Sequence, residues 1–349
     1  MPRIAKLALV LAVLTAALMA ALNLLPTGRG EASSSKPRSV ASSKPVVLAF
    51  GGDVHFEGVL ESKLTDDPAG LLAPIETVLD DADIAVVNLE TAITIGGSPT
   101  AKQFTFSAPP AAFVALREGG VDVASMANNH GLDYGGKGLR DSLAAAKRYH
   151  FPVIGIGLDG KQAYRPFRRT IDGQRIAVLG ATQVIDDELI SAWTAGPNKP
   201  GLASAKEAPR LLQEVRLARK TSDTVVVFLH WGVELEQCPT PDQRTLARQL
   251  VAAGADVVVG GHAHRLLGAG RMGKALVGYG LGNFVWYGTS ELSTQTGVLF
   301  VTVAGRKVLR YRWVPARIVG GVPRALTGEA HRSELASWRS LRRCTGLKP

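Results

Sequence analysis

The run ADVVVGGHAH, residues 255–264, is a short apolar strand that ends in two histidines. Its residues 257–259 are β-branched and have no polar face, which is typical of a strand buried on both sides of a sheet. Two glycines end the strand, and His262 and His264 follow one residue apart. The chain has only seven histidines. This spacing therefore indicates a polar site at the carboxyl end of a buried strand.

Similar apolar runs recur along the chain and alternate with helix-like stretches. The strand-like runs are 46–50, 84–87, 121–123, 153–156, 176–179, 224–229, 255–259 and 298–303. The helix-like stretches are 71–81, 110–118, 137–149, 207–220 and 242–253. Apolar strands that alternate with amphipathic helices predict an α/β fold whose sheets are covered by helices. After residue 297 the helical pattern stops, and we expect the last strands to pair antiparallel.

The length of 349 residues suits one large domain, which we place at residues 46–305, followed by basic C-terminal strands and a tail at 306–349. The net charge of +10 lies at the two ends of the chain. Residues 301–349 hold eleven basic and two acidic side chains, whereas residues 46–300 hold twenty-three and twenty-seven. A nucleic-acid-binding domain normally carries its basic residues on the folded site, so no nucleic-acid partner is expected. The distribution fits a domain held near an anionic surface or polymer, or a solvated tail that is basic by chance.

The first 45 residues predict a membrane anchor and a tether. Residues 7–25 are nineteen residues without a charge, close to the roughly 20 that a helix needs to cross a bilayer. We assign residues 1–26 to an uncleaved signal anchor, and residues 27–45, which are rich in Ser, Pro and Lys, to a flexible tether. The expected location is the cell membrane, as a single-pass protein whose domain lies on the extracytoplasmic face. The alternative is a protein that is secreted after its signal peptide is cleaved.

Cys238 and Cys344 are the only cysteines in the sequence. In an oxidising compartment they can form one disulfide that joins the C-terminal tail to the middle of the chain, and two free thiols are the alternative. No Cys-x-x-Cys pair is present, which excludes a zinc site built from paired thiolates.

Polar side chains follow five of the predicted strands at their carboxyl ends, where open α/β sheets build their sites. They are Asp53 and His55, Asn88 and Glu90, Asn128, Asn129 and His130, His230, and His262 and His264. Any one of them has an ordinary explanation as a loop or capping residue. Five strand ends that all present oxygen or imidazole groups predict a shared metal site. These ligands suit Mn²⁺, Fe²⁺ or Zn²⁺ better than Mg²⁺ or Ca²⁺, and their number suits two ions that share a carboxylate.

The ordered motifs resemble those of a known family. They are GDVH (52–55), NLE (88–90), ANNHGLDYG (127–135), LHWGVELE (229–236), GGHAH (260–264) and GLGNF (280–284). Together they resemble the calcineurin-like metallophosphoesterases, and more narrowly the CapA branch, also called PGA-cap, of poly-γ-glutamate capsule biosynthesis. The resemblance spans about residues 46–305. It implies a metallophosphoesterase-like αββα sandwich, in which two mixed β-sheets are flanked by helices.

The resemblance also implies roles for the motif residues. One ion would be held by Asp53, His55, Glu90 and His264, and the second by Glu90, Asn129, His230 and His262. His130 would be the catalytic residue that steadies the transition state or protonates the leaving oxygen. The sequence departs from the common phosphoesterase pattern at the shared ligand, where Asn88-Leu89-Glu90 stands in place of Gly-Asp-x-x-Asp.

A further set of residues is expected to contact substrate at the same cleft. They are Asn88, Asn128, Asp133, Glu234 and Asn283. Glu234 and Glu236 can position a cationic or amine group, and the alternative is that both are exposed loop carboxylates.

Two functions remain open on this sequence. The first is a dinuclear metal-dependent hydrolase of capsule or envelope polymer synthesis, which acts on a phosphoester or on an amide of a polyglutamate-like chain. The second is a non-catalytic, membrane-tethered factor that binds or exports an acidic polymer such as poly-γ-glutamate. Both functions predict an association with the capsule or envelope biosynthesis machinery. Salt dependence separates them, because polymer binding weakens steeply with ionic strength.

Overall fold

The structure, a computed structural model, describes residues 44–349. The predicted anchor at 1–26 and almost all of the predicted tether at 27–45 lie outside the described residues. Within residues 44–349, no helix is long and apolar enough to cross a membrane.

The described part of the chain alternates strands and helices along most of its length. The strands are β1 (Val46–Val54), β2 (Ile84–Leu89), β3 (Ala92–Ile93), β4 (Ser107–Ala108), β5 (Val123–Ser125), β6 (Val153–Ile154), β7 (Ile156–Gly157), β8 (Phe167–Ile171), β9 (Gln174–Thr182), β10 (Gly201–Leu202), β11 (Thr224–Trp231), β12 (Val257–His262), β13 (Ala269–Met272), β14 (Ala275–Gly278), β15 (Asn283–Val285), β16 (Gln295–Ala304), β17 (Lys307–Val319) and β18 (Val322–Ala325). The α-helices are α1 (Val59–Asp66), α2 (Ala73–Leu79), α3 (Ala111–Glu118), α4 (Gly135–Arg148), α5 (Gly160–Ala163), α6 (Ile190–Trp193), α7 (Ala208–Thr221), α8 (Pro241–Ala253) and α9 (Gly328–Ser340). Short 3₁₀ turns span Asp187–Leu189 and Leu341–Cys344.

Two large mixed sheets form the centre of the fold. The first has the strand order β18-β17-β16-β1-β2-β5-β6, and β15 also pairs with β1. Within it β1, β2, β5 and β6 run parallel, whereas β16, β17 and β18 are joined antiparallel. The second sheet has the order β13-β14-β12-β11-β9-β8, with antiparallel pairs at its two edges. Ligand sites form at the carboxyl ends of central parallel strands. Here those strands are β1 and β2 in the first sheet and β11 and β12 in the second.

The two sheets pack face to face, and helices cover their outer faces. Phe50 and Val86 of the first sheet share one buried cluster with Val226 and Val259 of the second. The outer face of the first sheet packs against α1 to α4, and the outer face of the second against α7 and α8. Because strands buried on both faces have no polar face, this packing explains the continuous apolar runs in the sequence. The predicted αββα sandwich is confirmed.

Helix α8 illustrates how local sequence sets an element boundary near the site. The Thr240 hydroxyl accepts a hydrogen bond from the Gln243 backbone at 3.2 Å, and the Gln243 side chain accepts one from the Thr240 backbone at 2.9 Å. Pro241 occupies the first helical position, where its missing N–H costs nothing. Gly254 ends the helix with a φ of 115°, a conformation that glycine adopts without strain.

The C-terminal region differs from its prediction in one respect. Strand β17 pairs antiparallel with β16, as expected, and extends the first sheet beyond residue 305. The expectation that no helix follows residue 297 is wrong, because α9 forms and stacks Trp338 on Trp313 with ring centres 5.1 Å apart. In α9 only Trp338 is buried, so the sequence gives no apolar periodicity to detect. Cys238 and Cys344 form a disulfide, which is the first of the two alternatives given above.

Candidate metal centre

The two sheets bring four strand ends to one place. Asp53 lies in β1 and Glu90 follows β2, whereas His230 lies in β11 and His262 in β12. The donor atoms of these four residues and of His264 form two overlapping groups. Within each group the atoms lie within 4.8 Å of one another. The first group is Asp53, Glu90 and His230, and the second is Glu90, His262 and His264. Glu90 is common to both, which is the shared position that the sequence predicts for it.

The grouping of the other residues differs from the predicted ligand sets. The prediction pairs Asp53 with His264 and His55, whereas the structure places Asp53 in a group with His230. One contact of the predicted set is kept, since Asp53 Oδ2 lies 3.5 Å from His264 Nδ1. Asn129 Oδ1 lies 2.7 Å from Nε2 of His230, which belongs to the same predicted ligand set.

Asn88 accounts for the link between Asp53 and His230. Its Nδ2 donates to Asp53 Oδ1 at 2.8 Å and lies 3.0 Å from His230 Nδ1. The amide is held in this orientation because its Oδ1 accepts a hydrogen bond from Asn128 Nδ2 at 3.0 Å. Asn88 therefore lies within the cluster and links Asp53 of the first sheet to His230 of the second.

His55 lies outside both groups. Its Nδ1 accepts a hydrogen bond from the Glu57 backbone at 3.2 Å, and its ring is surrounded by aromatic side chains. Phe106, Trp286 and Tyr287 have ring centres 4.8, 4.1 and 4.7 Å from that of His55. The buried Nε2 of His55 has no hydrogen-bond partner among the described residues.

Three buried polar atoms in this region lack partners in the described part of the chain: His55 Nε2, Glu90 Oε1 and His262 Nδ1. A buried polar atom without a partner costs about 1–3 kcal/mol, so proteins rarely collect several at one place. Imidazole nitrogens and carboxylate oxygens together are the ligands of divalent transition metals. The donor set and its unpartnered atoms therefore fit a metal-binding cluster.

The turn that carries His262 and His264 has an unusual backbone. The two residues have φ values of 96° and 52°, which non-glycine residues seldom adopt. The His262 backbone N–H donates to Asp53 Oδ2 at 2.9 Å. Gly261 makes this approach possible, since a Cβ there would lie 2.0 Å from Asp53 Oδ1. Gly261 was not among the predicted site residues, although the second glycine of GGHAH was a visible signal.

Burial sets the protonation of these groups. It raises the pKa of Asp53, and it raises the pKa of Glu90 well above the ordinary value, with a further contribution from the charge on Asp53. Burial lowers the pKa of His262 to about 3 and holds the pKa of His230 well below its ordinary value. The two imidazoles are therefore neutral near pH 7, which is the state in which histidine binds metal.

His130 lies at the edge of the cluster, and its ring is fixed on several sides. Its Nε2 lies 3.9 Å from Glu90 Oε1, and its Nδ1 lies 2.5 Å from Asp133 Oδ2. Phe106 stacks on the ring with centres 4.2 Å apart. Asp133 also accepts a hydrogen bond from Lys102 Nζ at 2.7 Å. The sequence gives no signal for Lys102, because it lies in a loop that follows no predicted strand.

Most residues expected to contact substrate are instead hydrogen-bonded within the protein. Asn88, Asn128, Asp133 and Asn283 are all fully buried. Asn283, for example, has its Oδ1 2.9 Å from His264 Nδ1 and donates through Nδ2 to the Ser293 carbonyl at 2.9 Å. These contacts favour a role in positioning other side chains. Glu234 is exposed, in the loop that follows β11.

Comparison with known sequences identifies the family. Residues 47–287 match the family described as "Bacterial capsule synthesis protein PGA_cap". The "Capsule biosynthesis protein CapA" of Bacillus anthracis is 34% identical over 189 residues, which are 53% of this chain and 45% of that protein. The "PGA biosynthesis protein CapA" of Bacillus subtilis (strain 168) is 29% identical over 264 residues, which are 74% of this chain and 67% of that protein. The match thus spans less than half of the first relative and about two thirds of the second.

Comparison with solved structures bears on the fold alone. A hypothetical protein from Thermus thermophilus superposes with a TM-score of 0.50 at 16% identity, over 78% of this chain and 100% of that one. A 5'-nucleotidase from Candida albicans gives a TM-score of 0.47 at 10% identity, over 85% of this chain and 57% of that one. Because the family match covers well over half of the sequence, the chain belongs to the PGA_cap family of bacterial capsule synthesis proteins.

Proposed function

We propose that this protein is a metal-dependent hydrolase of the phosphoesterase type that acts in the synthesis of a capsule or envelope polymer. The names of its relatives support the polymer, since one is a capsule biosynthesis protein and the other a PGA biosynthesis protein. The observation that carries the hydrolase is the cluster of carboxylate and imidazole groups at the meeting point of the two sheets, in which Glu90 Oε1 and His262 Nδ1 are buried without a partner among the described residues.

The cofactor in this proposal is a pair of divalent ions, Mn, Fe or Zn. Asp53, Glu90 and His230 would hold one of them, with Asn129 beside His230, and Glu90, His262 and His264 would hold the other. When bound, such ions supply Lewis acidity toward a phosphoryl or carbonyl oxygen and make water a nucleophile near neutral pH. His55, which the resemblance implies as a ligand, belongs to neither group, and it could bind an ion through Nε2 only if its Nδ1 gave up the hydrogen bond from the Glu57 N–H.

The chain's own residues provide orientation and a proton. His130 donates through Nδ1 to the Asp133 carboxylate, and its Nε2 lies on the side of the cluster. Nε2 can give a proton to a leaving oxygen in the imidazolium form of the ring. Burial lowers the pKa of His130 and disfavours that form, whereas the Asp133 carboxylate favours it. The side chains of His264 and His130 are 17% and 7% exposed, whereas Asp53 and Glu90 are fully buried. In this proposal substrate approaches the cluster from the side of these two histidines.

The proposed substrate is a phosphoester or an anionic polymer, and the proposed location is the extracytoplasmic face of the cell membrane, with secretion as the alternative. Association with the capsule or envelope machinery follows from the same proposal. The relatives' names and the uncharged run at residues 7–25 support this setting.

Substitution of His130 by alanine tests the catalytic role. The variant should keep its metal content, because His130 belongs to neither donor group, and should lose turnover of bis(p-nitrophenyl) phosphate by about 100-fold or more. His331→Ala is the matched control, since that ring bonds only the Leu326 carbonyl in the region of α9. Turnover by His130→Ala at the wild-type rate would contradict the role assigned to this residue.

A non-catalytic, membrane-tethered factor that binds or exports an acidic polymer is the second candidate. The observation that favours it is the C-terminal region, where Arg339, Arg343 and Lys348 are exposed and make no ion pair with any described residue. If this function is correct, poly-γ-glutamate binds the full chain and its affinity falls steeply between 50 and 200 mM salt, roughly tenfold or more. Under the same function, His130→Ala leaves that binding unchanged.

A further inference from the structure

The loop at residues 94–106 reaches the catalytic edge of the cluster from outside the two sheets. It supplies Phe106, whose ring stacks on both His130 and His55. It also supplies two backbone contacts to the Asp133 residue, since the Thr100 N–H donates to the Asp133 carbonyl and the Phe106 N–H donates to Asp133 Oδ2, both at 2.7 Å. A loop remote in sequence is thus fastened to the residue that orients His130.

Lys102 is the charged residue at this junction. Its Nζ donates to Asp133 Oδ1 at 2.7 Å and to the Asn129 carbonyl, and it lies 5.1 Å from the centre of the Trp193 ring. The side chain is only 10% exposed. An ammonium group offers three hydrogens and no acceptor, and here two oxygens and one aromatic face surround it. These contacts account for the ammonium without any outside partner.

Asp133 is consequently held on both of its oxygens. Lys102 occupies Oδ1, whereas the Phe106 N–H and the His130 imidazole share Oδ2. A carboxylate with one oxygen fixed by a buried cation cannot rotate away from the imidazole without losing that contact. Removal of Lys102 would leave Oδ1 buried without a partner and the carboxylate free to reorient.

We propose that Lys102 is a positioning residue of the reaction: its ammonium fixes Asp133 and the Asn129 carbonyl, and through Asp133 it holds the His130 ring with Nε2 toward the metal cluster. The proposal rests on the proposed hydrolase function, because positioning matters only if His130 takes part in catalysis. Lys102 thereby links two groups of the proposed reaction, His130 and the Asn129 ligand, to a loop that belongs to neither sheet.

The direct test measures the hydrogen bond made by the His130 ring in the full chain, after a chelator has removed any metal. Long-range ¹H–¹⁵N spectra of the seven histidine rings report which ring nitrogen carries the proton, and His130→Ala identifies the signal. The wild type should show a strongly hydrogen-bonded Nδ1–H. Lys102→Met, which keeps most of the side-chain volume, should weaken or shift that signal, and Asp133→Asn should abolish its charge-assisted form.

The matched control is Lys137→Met. Lys137 lies beside Gly97 of the same loop and pairs with Asp141, but it makes no contact with Asp133. The His130 signal should be unchanged in this variant. If Lys102→Met fails to fold, Lys102→Gln, which keeps a donor but removes the charge, takes its place in the same measurement.

Kinetics form the second arm. Lys102→Met should lower kcat for bis(p-nitrophenyl) phosphate by roughly 10- to 100-fold with KM within about twofold, as expected for a group that orients a catalytic side chain. A folded Lys102→Met protein with the wild-type His130 signal would overturn the proposal. If the wild type hydrolyses no phosphoester, the proposed function fails, and the spectra still decide whether Lys102 positions His130.

Discussion

Gly261 is the residue at which the smallest substitution should disturb the cluster most. Gly261→Ala would place a Cβ 2.0 Å from Asp53 Oδ1, so the carboxylate or the β12 backbone must move. We expect a loss of about 1–3 kcal/mol in the free energy of unfolding and a clear fall in bound metal. Elemental mass spectrometry and urea unfolding measure both quantities.

The control for this substitution is Gly96→Ala, where the nearest atom would be Lys137 Nζ at 3.9 Å. It should behave as the wild type. Gly261→Ala protein that binds as much metal as the wild type would show that the approach of Asp53 to the β12 turn is not required.

The side chain between Asp53 and His230 is the amide of Asn88, and we expect a carboxylate at this position to be destabilising without metal. Asn88→Asp would bury a second charge beside Asp53, at the position where Nδ2 now donates at 2.8 Å. Without metal the variant should lose about 3 kcal/mol in the free energy of unfolding. Added Mn²⁺ should recover most of the loss, because an ion that binds the folded state stabilises it.

Urea unfolding with a chelator and with Mn²⁺ measures this difference. Asn198→Asp, at an exposed position, is the control and should change neither value. Equal stability of Asn88→Asp and wild type in the chelator would contradict the assignment of Asn88 to the interior of the cluster.

At the level of single residues, the sequence predicted the side chains that lie at strand ends better than the contacts around them. Asp53, Glu90, His230, His262 and His264 come together because each lies at or just after the end of a buried strand. Gly261 and Lys102 were missed for different reasons. The first acts through the absence of a side chain, and the second acts through a loop whose path no local pattern encodes.

At the level of elements, the strands buried on both faces were the most predictable. The runs at 46–50, 84–87 and 224–229 lie within β1, β2 and β11, and each observed strand continues beyond the predicted end. The run at 153–156 is divided into β6 and β7 at Gly155, which has a φ of 86°. There a Cβ would lie 2.4 Å from that of Ala127, a contact with a distant segment that no local pattern reveals.

The disulfide joins the loop after β11 to the turn after α9. The two cysteines are 106 residues apart, so the bond restricts the unfolded chain over a long segment. The double variant Cys238→Ser, Cys344→Ser should lose about 2–4 kcal/mol in the free energy of unfolding. Reductant should destabilise the wild type by a similar amount and leave the double variant unaffected; a wild type insensitive to reductant would contradict this prediction.

The ion pair between the first residues of β9 and the loop before β11 gives a pH-dependent contribution. Hydrogen bonds from the Arg175 guanidinium lower the pKa of Asp223 to about 2. Because the folded pKa is below the unfolded value near 4, the pair stabilises the protein above about pH 4, and the stabilisation is lost as the pH falls toward 2. Both side chains are partly exposed, so the effect should stay below about 1 kcal/mol.

Urea unfolding of Arg175→Met at pH 5 and at pH 2.5 measures this contribution. The difference from the wild type should be larger at pH 5 than at pH 2.5. Arg248→Met is the control, because this exposed side chain in α8 bonds the Thr245 hydroxyl and forms no ion pair with any described residue; its effect should be the same at both pH values. An equal difference at both pH values would contradict the assigned role of Asp223.

At the level of the whole molecule, the cluster exists because two sheets pack together. Asp53 and Glu90 come from one sheet, and His230 and His262 come from the other. The sequence predicted the sandwich through the resemblance of ordered motifs, since strand patterns alone do not say that an α/β chain divides into two sheets. The helix α9 depends on packing and could not be predicted from local patterns.

The central claim is that the meeting point of the two sheets binds divalent metal. The most direct test is the metal content of the purified full chain, after exposure to Mn²⁺, Fe²⁺ or Zn²⁺ and removal of free ions, measured by elemental mass spectrometry beside Glu90→Ala, His262→Ala and the control His331→Ala. We predict about two ions per chain in the wild type and the control. We predict a marked loss in both cluster variants, because Glu90 belongs to both donor groups and His262 to one. A wild type that takes up no metal, or cluster variants that bind as much as the wild type, would contradict the account.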